Sequence, residues 1–173
     1  MGALNYITGN LLHASRPAIL AHACNTHGIW GGGIAYQIAL QFPAAEARYE
    51  DHCARHSPEQ LIGTTFLIET QKDEPGNKGS DDPYIIACLF TSVGGGGFAD
   101  APAEIVKNTR LALEDLERQL KETSSEVLLG LKKVRGHWVV DLPKINAGIF
   151  RVPWDETEAV LKESGLDYNV YIV

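Results

Sequence analysis

Short apolar runs rich in β-branched residues alternate along this chain with stretches of helical patterning, and that alternation constrains the fold more than any other feature. Leu4–Thr8, Ala18–Cys24, Thr64–Thr70, Tyr84–Thr91, Trp138–Leu142 and Tyr168–Val173 read as strands. Ile34–Phe42, Ala44–His56, Pro102 to about Lys121 and Trp154–Ser164 read as helices. Pro43 and Pro102 stand where a helix opens, a position at which the missing N–H has no intrahelical partner to lose. Strands separated by helices build a mostly parallel sheet covered on both faces. The expectation is a three-layer α/β/α fold, with a mixed, mostly parallel sheet of about six strands, in one domain over residues 1–173. Residues 71–83 hold Pro, Gly, Asn and Asp and read as a loop or an extended hairpin tip, while Ser124–His137 is the least readable stretch.

The glycines fall at informative places. Gly31-Gly32-Gly33 follows the strand ending at Cys24, Gly94 to Gly97 follows the strand ending at Thr91, and Asn146-Ala147-Gly148 follows the strand ending near Leu142. In an open α/β sheet the ligand sits beyond the carboxyl ends of the strands. Glycine lets backbone approach a ligand closely, so N–H groups of several turns can converge on one anion. A diphosphate is the natural occupant. Gly94-x-Gly96-x-x-Ala99 has dinucleotide-type spacing, but Pro102 begins the next helix too late for that motif. No G-x-x-x-x-G-K-[ST] phosphate loop occurs.

Charge narrows the partners. The formal net charge is −7, which argues against a duplex nucleic-acid binder, whose affinity rests on many Lys/Arg–phosphate contacts. It leaves small anions open, since backbone amides bind them without side-chain charge. The three cysteines (Cys24, Cys53, Cys88) show no paired spacing, so a reducing compartment is expected, cytoplasmic or nuclear. The N-terminus lacks the pattern of a secretory signal, and Tyr6 stands where a myristoylation signal needs Ser or Thr. No apolar run approaches the ~20 residues that span a bilayer, so no membrane partner is expected. A monomer is the expected state.

The segment His22-Ala23-Cys24-Asn25, followed by Trp30-Gly31-Gly32-Gly33-Ile34-Ala35, resembles the macrodomain pattern of a buried strand ending in Asn before a Gly run that opens a helix. Gly9-Asn10-Leu11 stands where macrodomains carry Gly-Asp-Ile, and Pro143 to Phe150 stands for their Pro-x-Ile-x-x-Gly-x-(Phe/Tyr) loop. The resemblance runs from about Asn5 to Val173 and is greatest to fungal members. It implies ADP-ribose and ADP-ribose 1″-phosphate as small-molecule ligands, and phosphatase activity on the latter. It implies that Asn25 binds the distal ribose, and that Gly31, Gly32, Gly33, Ile34 and Ala35 wrap the diphosphate, with Ala23, Cys24 and Tyr36 beside them. Asn146, Ala147, Gly148, Ile149, Phe150, Arg151 and Val152 match the second phosphate loop, and Gly9, Asn10 and Leu11 the adenine contact. Asn10 replaces the usual Asp, so the adenine amino group meets a neutral acceptor. Relatives that cleave ADP-ribose from glutamate carry Asp where Phe150 stands, which counts against that activity here.

Phosphate-monoester hydrolysis also needs a group that activates water. His22, His27 and Asp141 are the candidates, with Asn25 positioning substrate. Each has a plainer reading: His22 as a strand histidine bonded to backbone, His27 as a solvated loop residue, Asp141 as a surface carboxylate. Strand alternation places His22 opposite Asn25. Cys24 is no phosphatase nucleophile of the Cys-x5-Arg type, because Trp30 occupies the arginine position, and it reads as an inert core thiol. His52 and His56 share a helix face but lack further ligands at zinc spacing, so neither a metal nor another cofactor is expected. Trp30 and Trp154 read equally as pocket walls or as core.

Overall fold

The computed structural model describes residues 1–78, 80–131 and 133–173. In chain order the strands are β1 (Leu4–Thr8), β2 (Ala18–Cys24), β3 (Thr65–Glu69), β4 (Tyr84–Phe90), β5 (Lys133–Val134), β6 (His137–Pro143) and β7 (Asp167–Ile172). The helices are α1 (Gly33–Gln41), α2 (Pro43–Ala54), α3 (Pro58–Leu61), α4 (Pro102–Glu122), α5 (Glu126–Leu129) and α6 (Trp154–Glu163). The sheet runs β1-β7-β6-β2-β4-β3, with β5 added against β6. All pairings are parallel except β3–β4 and β5–β6. Among the described residues the count is therefore seven strands rather than about six. The extra one is the two-residue β5, joined to β6 by a tight turn at Arg135-Gly136 whose φ angles are 52° and 82°.

Every residue of β4 is buried, as a strand flanked on both sides and covered on both faces requires. Alternation sends Leu20, Cys24, Ile86, Cys88 and Phe90 to one face, where they meet Ile38 of α1, Tyr49 of α2 and Phe42 at the junction of the two helices. Ile19, Ala21, Ile85, Ala87 and Leu89 go to the other, against Ala112, Leu113 and Leu116 of α4 and Leu161 of α6. Pro43 begins α2 as the sequence suggests. The orphan N–H groups of that first turn are capped from outside: Glu74 Oε1 accepts from Ala44 N at 2.8 Å and Ala45 N at 3.2 Å. The polar loop 71–83 is thus tied down at its start.

The functionally decisive consequence is at the sheet's edge. β6, β2 and β4 lie side by side and point the same way. The chain leaving Cys24, Phe90 and Pro143 therefore emerges on one rim, which is the geometry the three glycine-rich turns anticipated.

Candidate active site

A cleft of about 670 Å³ opens on that rim. Its walls are the turn 25–35 after β2, the turn 94–98 after β4 and the loop 143–150 after β6. Close approach of backbone explains two of the glycines. A Cβ on Gly32 would lie 3.0 Å from Ile149 Cδ1, and one on Gly95 would lie 3.2 Å from Asn25 Nδ2. The first pair brings the β2 and β6 loops together, and the second brings the β4 turn onto Asn25. α1 starts at Gly33 with extended Gly32 as its N-cap, so its first amides, at Gly33, Ile34 and Ala35, have no partner within the helix and stand at the cleft wall.

Asn25 lines the cleft, but its amide closes the turn that it begins. Oδ1 accepts from His27 N at 2.9 Å, and Nδ2 donates to Ile29 O at 2.9 Å. Tyr49 Oη donates to the Asn25 carbonyl at 2.7 Å. With two amide hydrogens and one engaged, a single N–H is left for the cleft. Asn25 shapes the turn as much as it faces the cavity.

The loop after β6 is anchored from behind. Asn146 adopts φ 66°, a left-handed conformation that Asn tolerates better than most residues, and its side chain points inward. Oδ1 accepts from Thr91 Oγ1 at 2.9 Å, while Nδ2 donates to Thr109 Oγ1 at 2.9 Å and Thr157 Oγ1 at 3.4 Å. The expected ligand-binding amide is therefore a clamp joining the residue after β4 to α4 and α6. Val152 is buried and closes the loop through its N–H to Asn146 O.

The remaining expected residues divide. Ala23, Cys24, His27, Gly31 to Ala35, Gly148, Ile149 and Phe150 line the cleft; Tyr36, Ala147, Arg151 and Val152 do not. Gly9, Asn10 and Leu11 are also outside it: Leu11 is buried, and Asn10 Oδ1 accepts from Leu12 N at 2.9 Å to start a short helical turn. His22 is 1% exposed and sits beneath the cleft, edge-on to Trp30 with ring centroids 5.0 Å apart. Trp30 does line the cleft and stacks on Tyr49; Trp154 is not part of the wall.

Asp141 is not the surface carboxylate its polarity suggests. It lies mid-sheet in β6 between β2 and β7, 6% exposed, and receives one hydrogen bond, from Asn169 Nδ2 at 2.7 Å. Burial raises its pKa to about 6, against the lowering effect of that hydrogen bond. It does not reach the cleft. Cys24 is buried, with the Cys88 and His22 side chains against it. Burial opposes its ionisation, but the adjoining Cys88 thiol and His22 imidazole outweigh it and lower its pKa; Cys88 is pushed the other way by burial and by Cys24.

Two features escaped the sequence reading. Lys144 lines the cleft, and no Asp or Glu does among the described residues, although the chain carries a net charge of −7. Lysine after the β6 proline carries no spacing signal, so only the folded loop reveals it. Phe98, 88% exposed, stands at the cleft's edge on the glycine turn. A wall of free amides, one lysine and one exposed imidazole (His27) is suited to an anionic ligand with apolar and sugar parts.

The comparisons with known proteins agree with that geometry. Residues 21–161 match the family described as Macro domain. The chain is 42% identical over 177 residues to a Meyerozyma guilliermondii protein named ADP-ribose 1″-phosphate phosphatase, covering 100% of both. It is 40% identical over 184 residues to the Saccharomyces cerevisiae protein of the same name, covering 99% of each. Among solved structures it is similar to the macrodomain of Mycobacterium tuberculosis DarG, with a TM-score of 0.69 and 23% identity, covering 100% of this chain and 99% of that one.

Proposed function

Since the chain belongs to the Macro domain family, we propose that it hydrolyses ADP-ribose 1″-phosphate to ADP-ribose and phosphate. The observation that carries the proposal is end-to-end similarity, at about 40% identity, to fungal phosphatases named for that substrate. The cleft supports it: among the described residues, no carboxylate on the wall repels a ligand carrying several phosphate charges.

Hydrolysis needs the monoester held, its developing charge stabilised and a water delivered to phosphorus; the P–O bond to the sugar then breaks and leaves the 1″-hydroxyl. In our reading the α1 amides at Gly33, Ile34 and Ala35 and the turn at Gly94–Gly96 hold the diphosphate. Lys144 supplies positive charge to the terminal phosphate. Of the three candidates for water activation, only His27 lines the cleft; His22 and Asp141 are buried away from it, so the role passes to His27. Its backbone N–H is fixed to Asn25 while its ring is exposed.

Among the described residues the wall offers a single imidazole and no carboxylate, and that favours a second reading in which the chain binds ADP-ribose without chemistry. Phosphate release from ADP-ribose 1″-phosphate decides between them. Turnover by the native chain, reduced tenfold or more in His27→Ala with ADP-ribose affinity retained, supports the phosphatase. Binding without turnover leaves the recognition module. Absence of both overturns the ligand class.

A further inference from the structure

We propose that His22, Cys24 and Cys88 form a binding site for a thiolate-preferring divalent cation, zinc, under the floor of the cleft. His22 and Cys24 are two residues apart in β2 and so share a face, and Cys88 sits directly opposite His22 on the parallel neighbour β4. Two ligands from one strand and one from the next converge on a point above the sheet. Here the ligand atoms of all three residues lie within 4.8 Å of one another, and Cys24 Sγ is 3.5 Å from His22 Nε2. Around a tetrahedral zinc with Zn–S of about 2.3 Å and Zn–N of about 2.0–2.1 Å, sulfur and nitrogen ligands stand about 3.6 Å apart and two sulfurs about 3.8 Å. The histidine–cysteine spacing is close to that value, and a Cys88 ligand atom lies within 4.8 Å of both.

The surroundings point to a ligand as well. Trp30 is 4% exposed, and its indole N–H is the one buried side-chain polar atom without a hydrogen-bond partner among the described residues. It packs edge-on against His22, whose Nε2 lies 3.5 Å from the Cys24 sulfur. A metal-bound thiolate is the acceptor such an N–H lacks, in the way outer hydrogen bonds commonly support metal ligands. Two thiolates on one Zn²⁺ also remove the net charge that would make burial costly. The chain supplies three ligands, which leaves the fourth position to water, and Cys24 and Trp30 both border the cleft through which it would arrive.

Binding replaces the thiol protons of Cys24 and Cys88 with two Zn–S bonds, and those protons leave to solvent. Because Trp30 stacks on Tyr49, whose hydroxyl holds the Asn25 carbonyl, an occupied site would brace the turn that carries His27. The proposal does not depend on the phosphatase reading.

The test uses the full chain, stripped with a chelator under reducing conditions and titrated with ZnCl2. The expected result is one zinc per chain with proton release and a higher Tm. CoCl2 in its place should give the intense visible bands of tetrahedral cobalt together with a thiolate-to-metal charge-transfer band. Cys88→Ala and Cys24→Ser should each weaken zinc binding at least a hundredfold, and Cys53→Ser, the thiol outside the cluster, should leave it unchanged. Should either variant fail to fold, the native chain still decides. Less than half an equivalent bound at micromolar zinc, or an octahedral cobalt spectrum without charge transfer, overturns the site, as does loss of binding in Cys53→Ser alone.

Discussion

Replacing Asp141 by Asn should stabilise the protein at neutral and alkaline pH and do little at acid pH. The carboxyl is buried mid-sheet with one donor, Asn169, and its pKa rises from the ordinary 3.8 to about 6, chiefly through desolvation. A group whose folded pKa is raised favours the folded chain while protonated. Its contribution is complete below the unfolded value near 4 and is lost as pH rises through about 6. Two decades of proton affinity, at about 1.4 kcal/mol each, place the cost of ionising it in the folded state near 3 kcal/mol as an upper figure. The substituted amide is neutral at every pH, and its Oδ1 can still accept the Asn169 N–H, so the variant escapes that cost. Urea unfolding of both proteins at pH 4 and pH 8 measures the difference directly. Relative to the native chain, Asp141→Asn should gain about 2–3 kcal/mol more at pH 8 than at pH 4, with turnover at pH 8 unchanged. A difference that does not vary with pH would refute the burial argument. Turnover lost in a well-folded variant would return Asp141 to the mechanism.

Asn146→Ala removes the clamp to Thr91, Thr109 and Thr157 and places alanine at φ 66°, and should lower stability by about 2–4 kcal/mol in denaturant unfolding. Gly95→Ala presses a methyl 3.2 Å from the Asn25 amide and should weaken ADP-ribose binding in calorimetry while the Tm stays within a few degrees of native. Lys144→Ala should cost about 1 kcal/mol of affinity for ADP-ribose 1″-phosphate, and the salt dependence of binding should become shallower.

Periodicity made most of the framework legible. Apolar runs and helical spacing place β1 to β4, β6, β7 and the four long helices within a few residues of where they lie, because each buries one side predictably. The glycine turns were legible for the same local reason, since each follows a strand. What failed needed partners distant in sequence. The polarity of Asp141 argues for solvent, and only the adjacency of β7 supplies Asn169 and the lid of neighbouring strands. The outward role expected of Asn146 gives way to threonines distant in sequence, at 91, 109 and 157, which hold its side chain inward. The β5–β6 turn went unread because Arg-Gly takes positive φ here without the Asn-Gly or Asp-Gly pair that usually announces it. His22, Cys24 and Cys88 come together only through strand pairing, which no spacing along the chain reveals.

The Asn146 anchor bears on how this cleft can be altered. The three threonines that hold it are each wholly inaccessible to solvent, and none borders the cavity. They nonetheless set the height at which the backbone of residues 146–150 stands over the ligand. A library confined to cavity-facing positions would vary the upholstery and leave the hinge pins alone. Substitutions at Thr91, Thr109 or Thr157, such as the near-isosteric Val, would let that loop ride up or settle by fractions of an ångström without adding an atom to the wall. Ligand preference can therefore drift through changes in α4 and α6 that an inspection of the binding surface would pass over as silent.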